Sequence, residues 1–146
     1  MDLNTLRTLH AIGNYAQIIS ELPNSSICNN NPEFLVLAWK SILKCTGDVS
    51  KCAQFLGTRP ISDILKKSLM LWSKIYKSHI NGTVGNNSDN VKALQELGVK
   101  AHETVEIEQE ERDQIILISV EALLMLSEIS QAFSLLKLLK ASNLDW

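Results

Sequence analysis

Apolar residues recur along this chain at intervals of three and four, the period of a helix face. The pattern is strongest in the last third, where Asp113 to Lys140 reads DQIILISVEALLMLSEISQAFSLLKLLK with no Pro or Gly. Ile115, Ile118, Ala122, Leu126, Ile129, Phe133, Leu136 and Leu139 share one face of a continuous helix through this segment. Between Ile115 and Leu126 Glu121 is the only charge, so the helix is apolar nearly all round and other helices must surround it. Thr104 is placed to start it, and the acids Glu106, Glu108, Glu110 and Glu111 suit the positive end of a helix dipole. A run to Ser142 is long for a helix without a partner; Arg112–Asp113 and Ser127–Ser130 are where it would break.

The rest of the chain divides by the same logic. Leu3, Leu6, Leu9, Ile12, Ala16 and Ile19 form one stripe, predicting a first helix from Leu3 to Leu22, weakened by Gly13 or crossed closely there. Asn31 followed by Pro32 is an N-cap and first-turn signature for a second helix reaching Cys45. Its continuously apolar stretch, Phe34 to Trp39, must be covered on more than one face. Asp48 caps a short third helix ending at Gly57, and Pro60 fits the first turn of a fourth, with Ile61, Ile64, Leu65, Leu71, Trp72 and Ile75 facing the core. A fifth, Val91 to Leu97, is expected to stop at Gly98. The predicted fold is all-α: a compact bundle of five to seven helices around a long apolar C-terminal helix. It forms a single domain over residues 1–146, with flexible loops near 23–31 and 81–90.

Composition changes this picture in two places. Only 5% of the 146 residues are aromatic against 45% hydrophobic, so the core is built of Leu and Ile. The formal charge of -2 conceals a split. From Lys40 to Lys77 eight basic residues stand against Asp48 and Asp63, whereas from Asp89 to Glu128 ten acids stand against Lys92, Lys100 and Arg112. These regions either attract each other or present faces of opposite sign. Cys28, Cys45 and Cys52 are odd in number and include no CxxC pair. Reduced thiols in an intracellular compartment, cytoplasmic or nuclear, are therefore expected. No signal peptide is read at the N-terminus, and no apolar run approaches the roughly 20 residues of a membrane span.

Candidate chemistry is sparse. His10, Cys28, Cys45, Cys52, His79 and His102 lack the close pairing that structural zinc uses, so no metal and no cofactor are expected. Ser-centred nucleophile elbows and phosphate loops are missing from the sequence, and no enzymatic activity is expected. Nucleic-acid binding is the second candidate, through Lys40, Lys44, Lys51, Arg59, Lys66, Lys67, Lys74 and Lys77, with Tyr76 and an edge of Trp72 as stacking surfaces. The leading expectation is a protein-interaction module, including self-association as a homodimer, without membrane insertion. Its interface residues are Ile129, Phe133, Leu136 and Trp146: a broad apolar arc that a small domain has little material to cover, and a terminal aromatic.

Within the fourth helix, KKSLMLWSKIYKSH resembles the final helix of small all-helical domains of transcription-elongation and chromatin-tethering cofactors, through Lys67, Ser68, Met70, Leu71 and Lys74. That segment is 14 of 146 residues, and the loop and apolar helix that follow depart from the pattern, so no family is assigned. Size, Asn-rich loops and helical composition together are features shared by small viral accessory or regulatory proteins.

Overall fold

The computed structural model describes residues 2–22, 31–57, 61–82 and 88–142. It is all-helical, with eight helices among those residues: α1 (Leu3–Ala11), α2 (Tyr15–Glu21), α3 (Pro32–Thr46), α4 (Val49–Leu56), α5 (Asp63–Ile80), α6 (Ser88–Glu103), α7 (Gln109–Met125) and α8 (Ile129–Ser142). They belong to two compact units, Met1–Ile61 and Ser62–Trp146. Eight replace the expected five to seven because two predicted helices are each broken in two.

The first unit contains one of these breaks. Gly13 takes φ +79°, a left-handed conformation that costs glycine little, and the chain turns there between α1 and α2. Asn14 restarts the helix by accepting a hydrogen bond from the Gln17 amide. Leu6, Leu9, Ile18 and Phe34 then form a core against which Leu3, Tyr15, Leu22, Leu37 and Phe55 pack. Asn31 caps α3 as the sequence requires, its Oδ1 accepting from the Phe34 amide at 3.1 Å, and Pro32 fills the first turn. Phe34, Leu35, Val36, Ala38 and Trp39 are all buried, as their unbroken apolar run demands. Arg7 grips Glu33 through two nitrogens and holds that carboxyl below its ordinary range.

The second unit is arranged around α7. Helices α5, α6 and α8 pack on it, and α6 also touches both α5 and α8. Ile115, Ile116, Ile118, Ala122 and Leu123 are buried. Leu65, Leu69, Trp72 and Ile75 of α5, Leu94 and Ala101 of α6, and Ala132, Leu135 and Leu139 of α8 are buried as well. The buried hydroxyls of Ser68, Ser73 and Ser119 each donate to the carbonyl four residues earlier, so these polar groups cost the core little. Ser62 caps α5 through the Leu65 amide, while its own amide donates to Glu111 Oε1 at 2.8 Å and ties the start of α5 to α7. Helix α5 thus begins at Asp63; Pro60 lies outside the described residues.

Gly98 does not stop a helix. Helix α6 runs from Ser88 to Glu103 straight through it, starting inside the stretch expected to be a loop and ending six residues beyond Leu97. A Cβ at Gly98 would lie 2.8 Å from Leu135 Cδ2 of α8, so the glycine is there to let the two helices approach. Gly98→Val is expected to destabilise this unit by about 1–3 kcal/mol through overpacking, more than the small gain in helix propensity returns. The check is a lower urea midpoint at unchanged helical content.

The second break shapes the surface. The long C-terminal helix is replaced by α7 and α8, joined over Leu126–Glu128. Ser127 adopts φ 62°, its amide donating to the Leu124 carbonyl at 3.0 Å and the Glu128 amide to the Leu123 carbonyl at 2.9 Å. This is a Schellman motif with serine in the place usually taken by glycine. It rotates the phase of everything after it. On one continuous helix Ile129, Phe133 and Leu136 would extend the buried line of Ile115, Ile118 and Ala122. After the turn, Ala132, Leu135 and Leu139 point inward instead.

Candidate interaction surfaces

The basic residues do not form one field. Lys40, Lys44 and Lys51 belong to the first unit and Lys66, Lys67, Lys74 and Lys77 to the second; Arg59 lies outside the described residues. Lys40 is buried and is not available to a phosphate, which corrects its candidacy. Lys44 is half-buried with its ammonium 5.6 Å from the centre of the Tyr15 ring, a cation–π arrangement that engages it within its own unit. Lys51 is exposed on α4.

Helix α5 does present a coherent basic face. Lys66, Lys67, Met70, Lys74 and Lys77 are all exposed, and at 100° per residue they share an arc of about 100° and a length of about 16 Å. The stacking role expected for Trp72 is ruled out: it is fully buried, with its ring parallel to that of Tyr76 at 5.0 Å. Between α5 and α6 lies a shallow groove of 370 Å³, floored by Leu71, Ala93 and Leu97 and rimmed by Lys67, Glu96 and Lys100.

Among the described residues, no three His, Cys, Asp or Glu side chains converge as a metal site. Cys45 and Cys52 are free thiols. Cys52 is buried with its sulfur 3.5 Å from the Trp39 carbonyl oxygen, to which it donates. Burial, then the nearby Asp48 charge, pushes this thiol up to about 11. It therefore stays protonated at neutral pH and is a poor nucleophile.

The apolar candidates stand differently. Ile129 is 58% exposed, Phe133 59% and Leu136 38%. Spaced by four and three residues, they form a single stripe along α8, while Trp146 lies outside the described residues. Their flank of α8 is opposite the one on which Leu135 meets Gly98 of α6. On α7, Leu117 and Leu124 are also exposed. Because α6 sits between α5 and α8 around α7, the uncovered flank of α7 is the one facing away from α6. On α7, Leu117 and Leu124 flank the half-buried Glu121.

Sequence reasoning missed Leu117 and Leu124, although a signal for them existed. Leu117, Glu121, Leu124 and Glu128 follow one another at helical spacing, and the two acids mark that line as the one that stays near water. Among the described residues no helix is long and apolar enough to cross a membrane.

Compared with protein-family models, curated proteins and solved structures, the chain matches none.

Proposed function

We propose that this chain is a non-enzymatic protein-interaction module whose docking face is the stripe Ile129, Phe133 and Leu136 of α8, extended by Leu117 and Leu124 of α7. The observation that carries this reading is the exposure of Ile129 and Phe133, each more than half open to solvent, on a helix that buries Ala132, Leu135 and Leu139. A lone exposed leucine is ordinary; five large apolar side chains exposed on two helices that pack on each other are material for a surface that a partner covers. The partner class is an apolar helical surface, including that of a second copy of the chain. A reducing compartment, cytoplasm or nucleus, suits the free thiols, and an accessory or regulatory role suits a module that works by docking.

The test is affinity capture from cell extract with the full chain, with and without nuclease. Nuclease-resistant proteins retained by the wild type and lost with Phe133→Glu support the reading. Retention that survives Phe133→Glu contradicts it.

The arc of lysines on α5 favours a second reading, binding of a nucleic-acid backbone. Four exposed lysines within one arc give a sequence-independent attraction whose affinity falls with salt at a log–log slope of about -3 to -4 on duplex DNA. Lys66→Glu together with Lys74→Glu is expected to abolish filter binding of duplex DNA without changing the urea midpoint. An unchanged filter-binding signal for that double variant rules this reading out.

A further inference from the structure

We infer that the groove between α5 and α6 is a separate docking site, and that its occupant is an acidic amphipathic helix of a partner protein. The site shares no residue with the α8 stripe. Helices α5 and α6 pack on each other within one unit. Lys67 and Leu71 line the groove from α5, and Ala93, Glu96, Leu97 and Lys100 line it from α6, where they recur at intervals of three, one and three residues along one side. Leu71, Ala93 and Leu97 are half-buried and make an apolar floor that water reaches, whereas Lys67, Lys100 and Glu96 are exposed at the rim. Lys74 is exposed seven residues after Lys67 and carries the basic rim on by two helical turns, about 10 Å. Among the described residues none of these three ammonium groups forms a salt bridge. Floor, length and charge together select the occupant. A space of 370 Å³ that is open along the surface does not enclose a small molecule; two turns of a helix lie along it, with apolar side chains at i, i+3 and i+4 on the floor. Acids flanking that stripe then meet Lys67, Lys74 and Lys100. A nucleic-acid backbone fits this groove worse, because it brings nothing apolar to Leu71 and Leu97 and because Glu96 repels phosphate.

The experiment is fluorescence anisotropy of the full chain with a labelled synthetic peptide of about four helical turns, one stripe of leucines flanked on both sides by glutamates. The peptide is expected to bind with a micromolar Kd that weakens with added salt. Lys67→Glu together with Lys100→Glu is expected to weaken it about tenfold, and Glu96→Gln to tighten it about twofold. Lys77→Glu, turned about 120° from Leu71 around α5, and Phe133→Glu on α8 are expected to leave it unchanged, so this site and the α8 stripe are read separately. Each substitution is at an exposed position, which keeps the fold intact. A peptide of the same composition in scrambled order, with no apolar stripe, is expected to bind about tenfold more weakly. Equal binding of the scrambled peptide, or equal loss with Lys77→Glu, overturns the groove as the site and leaves only attraction between charges. Failure of the striped peptide to bind at millimolar concentration overturns the proposal; duplex DNA that binds under the same conditions, and is released by Lys77→Glu as readily as by Lys67→Glu, then assigns these lysines to phosphate.

Discussion

Trp72→Ala is expected to destabilise the unit Ser62–Trp146 by about 3–5 kcal/mol, the usual cost of deleting a large buried aromatic. The indole is fully buried on α5, stacked on Tyr76, and α5 packs directly on the central α7. Truncation removes the stack and leaves a cavity that helices pinned elsewhere cannot close. One such pin is the hydrogen bond from the Ser62 amide to Glu111 at the far end of α5. Total stabilities of about 5–15 kcal/mol make this a loss that the unit barely survives. Urea unfolding followed by far-UV circular dichroism checks it; a midpoint indistinguishable from wild type, at equal slope, would show that Trp72 does not hold this core.

Phe133→Glu is expected to have the opposite profile. Phe133 is the outermost residue of the stripe and contributes little to the monomer, so the urea midpoint should shift by no more than about 0.5 kcal/mol equivalent. Association should fall about a hundredfold, since a charge then sits where an aromatic anchor had been buried by the partner. Core and interface substitutions are thereby separated by the same pair of measurements. One lowers stability and takes binding with it; the other lowers binding alone.

The features that hydrophobic period and caps control are legible in the chain alone. Asn31–Pro32 starts α3, Asp48 starts α4, and the apolar run from Phe34 to Trp39 is buried at every position but Leu37, which is half-buried. What is not legible there depends on tertiary context. Gly98 carries the same local signal as a helix stop, yet serves a close approach to Leu135, a residue 37 positions away. The turn at Ser127 lacks the glycine that normally announces a Schellman motif, so the sequence marks Ser127–Ser130 only as one of two places for a break and does not show the change of helix phase that follows. The phase change there is what exposes Ile129, Phe133 and Leu136, and no periodicity of an unbroken helix shows it. For the basic region, composition counts eight charges without their addresses. Lys40 is buried, Lys44 leans on Tyr15, and only the lysines of α5 make a face.

The central proposal is that the turn at Ser127 leaves α8 with an apolar stripe that a partner covers, and that the partners include a second copy of the chain. Sedimentation equilibrium of the wild type beside Phe133→Glu, over micromolar to millimolar concentration, tests it most directly. The wild type is predicted to rise from the chain mass of 16.3 kDa toward twice that value, while Phe133→Glu remains at 16.3 kDa with its fold intact. Identical concentration dependence for the two proteins would contradict the account.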